Sequence, residues 1–532
     1  MNQDTTTRAT GTYRPYVDCL LDEFESRADR PVIRYEGTNV TGRALRSAIY
    51  RYARALEALG VDRGSLVALF APNRPEAIAI RYAANLIGAA AIYLPALADA
   101  DRRAALLARM APALLVVFPE TARLLPDTPA TTPLRVMQVG FGNAATRLDV
   151  LANAQPDRPL QGRNTPDELA VIVSSGGTTG VPKCSCRSFA AWSALVKAPR
   201  DEQRRQLVNG PLAYLSQVLV DTTLAAGGTV VLERRYNPAA TLAAIEVERI
   251  TDLLLVEPQL FETMDHRDVP FRDLSSLRSI AHVGGSAPAV LRRRAIERFG
   301  PVLTHFYGAS EAGIVSALAP HESASKPALL DCAGRVRAGV DVQFRRTDGT
   351  LAAPGEPGKI EVRSAAVAKG YWNQPEEAAL KFRNGWCLTG DMGFIDKAGY
   401  LHVLGRAQDI RRIAGRTIAP VDIEDVLCRL PDVRFATAFA SSDAFSDDLW
   451  RAVVEPWAGR RVDVARCLRA LDAAFGETVA SQVRLTQSRA IAQTEQGKVD
   501  RMAIMRAAPS HASEALCHAV VRLQPSCSIT LG

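Results

Sequence analysis

Only eight of the 64 basic residues in this chain are lysine, and two of those eight stand in glycine-rich settings. Directly after the apolar run Ala170 to Val173 comes Ser174-Ser175-Gly176-Gly177-Thr178-Thr179-Gly180-Val181-Pro182-Lys183. Glycines let a loop turn its backbone N–H groups toward one point, hydroxyls add donors, and an ammonium adds charge; together they make a cradle for polyphosphate. The spacing is not the Walker pattern, because no Gly-Lys-Ser/Thr follows a four-residue gap. Taken alone, such a loop can equally be a flexible turn. The second lysine lies far downstream, in Thr494-Glu495-Gln496-Gly497-Lys498-Val499-Asp500-Arg501.

Three more stretches combine glycine with groups able to act on a nucleotide. They are His305-Phe306-Tyr307-Gly308-Ala309-Ser310-Glu311, then Leu388-Thr389-Gly390-Asp391, then Gly405-Arg406-Ala407-Gln408-Asp409-Ile410 leading into Gly415 and Glu424. In this order, and with the two lysine segments, they resemble the motifs of the acyl-adenylate-forming superfamily of acyl-CoA synthetases, aryl-acid ligases, luciferases and peptide-synthetase adenylation domains. Gly60-Val61-Asp62-Arg63-Gly64 and Asn73-Arg74-Pro75-Glu76 match the family's early segment, so the resemblance spans nearly the whole chain.

The resemblance implies an enzyme that binds ATP and Mg²⁺, activates a small carboxylic acid as its acyl-adenylate, and passes the acyl group to coenzyme A. It places Ser175, Gly176, Gly177, Thr178, Thr179, Gly180 and Lys183 on the polyphosphate. Gly284, Gly285, Tyr307 and Gly308 are placed near the nucleotide, Asp391 and Arg406 at its ribose, and Asp409 and Gly415 at the hinge and the loop that follows it. Lys498, Ser310 and Glu311 become the catalytic set, with Glu311 also the metal ligand. Each role has a physical reason: a ring offers a flat apolar face to a base, and a carboxylate is a hard-oxygen ligand for Mg²⁺. The bland alternative is a loop aromatic beside a solvated glutamate. Rotation at Asp409 is implied to withdraw Lys498 after adenylation and admit the thiol.

The chain also departs from the family's pattern. Ser175-Gly176-Gly177 replaces Thr-Ser-Gly, and Arg411-Arg412 stands where a hydrophobic residue and lysine are common. Tyr214 falls where amino-acid-activating relatives carry an aspartate, which disfavours an α-amino acid; a gate, a pocket wall or a packed core tyrosine all fit. The pocket expected for the acyl tail comprises Tyr214, Gln217, Val218, His282 and His305 beside Gly284 and Gly285, which suits a fatty or aryl acid. The short stretch from Gly339 to Val362 favours coenzyme A over an acyl carrier protein's phosphopantetheine. A carrier-loading acyl-AMP ligase and a catalytically inactive nucleotide-binding module are the competing expectations.

What must position these residues is an α/β chain. At 532 residues, one ordinary core is exceeded. The expectation is a large N-terminal domain (1–404) of two α/β subdomains plus a β-rich subdomain, a hinge (405–410), a small mobile α/β domain (411–508), and a tail (509–532). Helical spacing runs from Asp22 to Leu59, and buried strands are expected at Leu66–Ala71, Ala113–Val117, Leu169–Val173, Gly228–Leu232, Asp252–Val256 and Ser279–Val283. Turn signals at Asp348-Gly349, Pro354-Gly355, Pro357-Gly358 and Asn384-Gly385 mark Val340 to Tyr400 as β-rich, and an acidic first turn marks a helix from Pro420 to Leu430.

A composition of 47% hydrophobic and 23% charged residues is that of a globular protein. No apolar run approaches the roughly 20 residues that span a bilayer, so membrane insertion is not expected. The net charge of +7 is spread out with no aromatic-basic alternation, which disfavours nucleic acid. Nine scattered cysteines suit free thiols in the cytoplasm.

Overall fold

The computed structural model describes residues 13–125, 134–174, 181–285, 288–413, 415–440 and 450–507. The chain divides into two compact units, each made of several segments. The first comprises Met1–Ser175, Val181–Arg235 and Ala365–Ala378, and the second comprises Gly176–Gly180, Tyr236–Ser364 and Ala379–Gly532.

In the first unit, Leu66–Phe70, Ala90–Tyr93, Leu114–Val117, Val136–Gln138 and Leu169–Ser174 pair in parallel at the heart of a seven-stranded sheet. Leu66–Phe70 reads LVALF and is buried at every position, because both faces of a parallel sheet are covered. Each fully buried leucine or valine there contributes about 2 kcal/mol. Pro75, with its fixed φ and missing N–H, opens the helix Pro75–Leu86 that follows. On that helix Arg81 forms a buried ion pair with Asp221. Tyr82 Oη donates to the same carboxylate at 2.5 Å and Trp192 Nε1 at 2.8 Å. Removing one partner of such a pair costs on the order of 3–5 kcal/mol, so this network anchors the helix Gln217–Ala225.

Two expectations fail in the first unit and one in the second. Helical spacing was expected from Asp22 to Leu59, yet a hairpin of Pro31–Tyr35 and Thr38–Thr41 separates the helices Tyr16–Ser26 and Gly42–Ala58. Glu36 and Gly37 take φ of 48° and 76°, the positive-φ pair of a tight hairpin turn, which a helix cannot contain. The β-rich stretch 340–400 is likewise interrupted. Gly370–Tyr371 extends the first unit's seven-stranded sheet, with Lys369 N and Trp372 N donating to the carbonyls of Cys186 and Cys184 at 2.9 and 2.8 Å. Pro357-Gly358 is no turn, because the strand Gly358–Ser364 begins at that glycine.

In the second unit, Asp252–Leu255, Ser279–Val283 and Leu303–Ala309 pair in parallel, and Gly313–Leu318 and Arg335–Val336 add antiparallel strands. A separate antiparallel sheet joins Val340–Arg345, Gly358–Ser364, Trp386–Ile395, Phe382–Arg383 and Leu401–Arg406. The later part of the unit holds the hairpin Arg411–Ile413/Arg416–Ile418 and the three-stranded sheet of Val433–Ala440, Trp450–Pro456 and Val483–Gln487. The helix expected at Pro420 to Leu430 is present as Pro420–Cys428, its start fixed by Asp422 accepting from Ala419 N at 2.8 Å. Among the described residues no helix is long and apolar enough to cross a membrane.

Candidate active site

Lys498 is presented by a tight turn. Gly497 N donates to Thr494 O at 2.8 Å, Thr494 N donates to Lys498 O at 2.7 Å, and Gln493 bridges Val499. Its side chain reaches Gly284, just past the strand Ser279–Val283. A Cβ on Gly284 would lie 2.8 Å from Lys498 Cε and 3.0 Å from Nζ, and Gly284 has φ +85°. Gly285 beside it is approached still more closely by Glu257, whose Oε2 would lie 1.7 Å from an added Cβ. Burial holds the Lys498 ammonium below its usual pKa, the Arg406 guanidinium pushes the same way, and the Glu311 carboxylate opposes both. The turn thus brings together residues separated by more than two hundred positions.

Tyr307 sits in the strand Leu303–Ala309, where the register with Gly313–Leu318 shifts between Tyr307 and Gly308, and such a bulge re-aims side chains. Its hydroxyl donates to Asp391 Oδ2 at 2.8 Å. Asp391 and Arg406 are cross-strand partners of an antiparallel pair, with Arg406 Nε 3.4 Å from Asp391 Oδ1. Arg406 also donates to Thr389 O at 3.1 Å. Burial raises the Asp391 pKa and Arg406 counters it, while burial and then Asp391 push the Tyr307 phenol well above its ordinary value. Next in sequence, Ser310 Oγ donates to the buried Glu311 Oε2 at 2.9 Å.

Asp409 is buried, accepting from Arg501 Nη1 at 2.5 Å, while its carbonyl accepts from Trp450 Nε1 at 3.1 Å. Gly415 turns the following hairpin with φ +80° and open space around it. Lys498, Gly284, Glu311, Tyr307, Asp391, Arg406, Asp409 and Gly415 therefore all belong to the second unit.

His282 and His305 face each other across paired strands. Their Nδ1 atoms are 3.1 Å apart and their rings stack at 5.2 Å. Burial, then Arg292, holds the His282 pKa down at about 3 and the His305 pKa well below its usual value. Both imidazoles are therefore neutral near pH 7. Alternate residues of a strand point to opposite faces, so Ala281, Val283 and Phe306 lie on the face opposite the two histidines. Those three residues are partly exposed, whereas the histidines are buried.

In the first unit, Tyr214 lies in the turn Leu212–Ser216 with φ −129° and ψ −136°, outside helical values. Asn73 staples this turn: its Nδ2 donates to the carbonyls of Gly210 and Glu233, both at 2.9 Å, and its Oδ1 accepts from Leu212 N at 3.2 Å. Gln217 is 1% exposed, and neither amide atom has a hydrogen-bond partner among the described residues. Val218 is next to it and buried. The Lys183 ammonium lies 5.3 Å from the Tyr371 ring centroid, a cation–π distance. Ser175, Gly176, Gly177, Thr178, Thr179 and Gly180 lie outside the described residues, as does the tail 509–532.

Comparison with known proteins bears on this geometry. The model of the AMP-binding enzyme family matches residues 21–372. A medium/long-chain-fatty-acid–CoA ligase of Mycobacterium tuberculosis is 29% identical over 483 residues, covering 87% of this chain and 83% of its own length. An indoleacetate–CoA ligase of Aromatoleum aromaticum is 32% identical over 459 residues, 83% of this chain and 88% of its own. Among solved structures, the amide bond synthetase McbA from Marinactinospora thermotolerans superposes with a TM-score of 0.81 at 32% identity, covering 92% of this chain and 99% of that one.

Proposed function

This chain belongs to the AMP-binding enzymes, and on that premise we propose that it activates a fatty or aryl carboxylic acid with ATP and transfers the acyl group to coenzyme A. The observation that carries this is the seating of Lys498 on Gly284 with Arg406 and Glu311 as its charged neighbours. Its similarity to a fatty-acid and an indoleacetate CoA ligase supports the acid class and the thioester product.

An acid and ATP are both anionic, so the barrier to their reaction is largely charge repulsion plus the entropy of alignment. In the first step a carboxylate oxygen attacks the α-phosphorus. The bond from that phosphorus to the oxygen bridging the β-phosphate breaks, and pyrophosphate leaves with the electron pair. The Lys498 ammonium bridges the attacking carboxylate and the α-phosphate. Tyr307 lies by the adenine, Asp391 accepts from the ribose hydroxyls, and Arg406 donates beside it. By the resemblance, Ser175, Thr178, Thr179 and Lys183 are assigned to the polyphosphate. In the second step the thiol, losing its proton, attacks the acyl carbon, and AMP departs.

The residues present fit Mg²⁺. Among the described residues no cluster of three or more His, Cys, Asp or Glu forms a protein-only cage. A buried carboxylate such as Glu311, completed by nucleotide phosphates and water, is a set that octahedral Mg²⁺ accepts. Held there, the ion would neutralise charge on the departing pyrophosphate.

We assign 1–404 to an N-terminal domain, 405–410 to the hinge and 411–508 to a small domain that turns at Asp409 between the two steps, in a cytoplasmic setting. The similarity to an amide bond synthetase supports a second reading, in which an amine rather than a thiol receives the acyl group. A carrier-bound phosphopantetheine is the third acceptor. The test is pyrophosphate release over a panel of fatty and aryl acids, with product analysis when coenzyme A, a holo carrier protein or an amine is supplied. Acid-dependent release and a coenzyme A thioester are expected; release with amide as sole product would move the assignment to the second reading, and no release with any acid would end it.

A further inference from the structure

The helix Glu257–Met264 has no part in the chemistry above, yet it touches the lysine turn and the sheet that follows the hinge. Its Gln259 side chain abuts Gly497, the residue before Lys498; a Cβ there would lie 2.5 Å from Nε2. Its Glu262 Oε1 accepts from Gln493 Nε2 at 2.5 Å, at the other end of the same turn. Its Phe261 stacks on Phe435 with ring centroids 4.1 Å apart and planes at 27°, and both are at most 2% exposed. The Arg434 guanidinium lies 4.8 Å from the Phe261 centroid.

The neighbouring helix Ala289–Phe299 extends these contacts. Arg294 holds Asp265 through two bonds of 2.7 and 2.9 Å and donates to Arg434 O at 3.0 Å. Val290 N donates to Asp425 Oδ1 at 3.0 Å, near the open end of that helix. Every one of these contacts coexists with Lys498 on Gly284.

We propose that Glu257–Met264 is a docking plate whose Gln259, Phe261 and Glu262 position Lys498 for adenylation, and which must be released before the thiol step. This rests on the two-step function above. Gln259 and Glu262 grip the turn at both ends, so the ammonium's placement is set by side chains that never meet substrate. The ring stack fixes the sheet from which the turn emerges. Turning about Asp409 would separate Gln259 from Gly497, Glu262 from Gln493 and Phe261 from Phe435 together, which makes the plate a selector between the two arrangements rather than a general brace.

Wild-type protein is compared with Gln493→Ala, Phe435→Leu, Glu262→Leu and Glu262→Gln in two assays: labelled pyrophosphate exchange into ATP, and thioester formation from supplied acyl-adenylate. Gln493 is exposed, so its variant is expected to fold normally. Loosening a positioning contact should lower exchange by about 10-fold in Gln493→Ala and Glu262→Leu and by more in Phe435→Leu, with thioester formation unchanged or faster. Glu262→Gln keeps an acceptor oxygen and should recover part of the loss. Equal losses in both assays, or undiminished exchange in Gln493→Ala and Glu262→Leu, would overturn the plate. Absence of exchange in the wild type with every acid would instead overturn the function beneath it.

Discussion

Lys498 and Gly284, 214 positions apart in sequence, are in van der Waals contact through the lysine stem, and the place a side chain would occupy at Gly284 is already filled by Cε and Nζ. The glycine is favoured by its φ of +85°, and a Cβ there would force the far end of the lysine side chain to shift.

Gly284→Ala should therefore displace the ammonium while leaving most of the core untouched. A shift of about 1 Å at a reacting group costs on the order of 10²-fold, and that loss is expected in pyrophosphate exchange. A thermal midpoint collapsing in step with activity would show that the glycine serves folding instead.

Because burial and Arg406 hold the Lys498 pKa below its ordinary value, the charged form is lost as pH rises through that lowered value. Adenylation should fall on the alkaline side earlier than an unperturbed lysine would allow. Glu311 pulls the other way, so Glu311→Gln should move this limb to still lower pH in a kcat/KM profile. A limb that stays put in the variant would mean that Lys498 is not the titrating group.

The stacked pair His282 and His305 makes a prediction for stability. Both are kept neutral in the folded state, His282 down to a pKa of about 3, whereas an unfolded histidine takes up a proton near 6.5. Below that pH the unfolded chain binds more protons, so stability should decline as pH falls from about 6.5 toward 3. The double variant His282→Asn/His305→Asn should lose less thermal stability between pH 7 and pH 5 than the wild type. An equal or larger loss would place the acid sensitivity elsewhere.

Much of the site was legible in the residues themselves. A glycine-hydroxyl-lysine loop after an apolar strand, a Tyr-Gly-Ala-Ser-Glu run, a Thr-Gly-Asp and a late Gly-Lys each carry local chemistry. Their order along the chain is a property of sequence alone. Asp391 and Arg406, which the resemblance set together at the ribose, are cross-strand partners, a pairing that the sequence reading did not state. Strand runs such as Leu66–Phe70 were visible because a continuous apolar stretch too short for a helix and closed by Pro72 and Asn73 fits a doubly covered sheet.

The hairpin at Pro31–Thr41 was missed because apolar residues on two short strands imitated helical spacing, and the positive φ at Glu36 is not carried by a glycine. That His282 and His305 face each other on paired strands was not legible in the sequence, because it depends on the register between Ser279–Val283 and Leu303–Ala309.

Sequence by itself determined the chemistry available to this protein: which donors, carboxylates and ammonium groups exist, in what order, on what kind of element. Tertiary structure alone decided that Lys498 rests on Gly284, that Tyr307 and Arg406 share Asp391, and that Glu257–Met264 receives the lysine turn. Such pairings join residues tens to hundreds of positions apart. They follow from burial and packing of whole elements, which no local pattern of residue types contains.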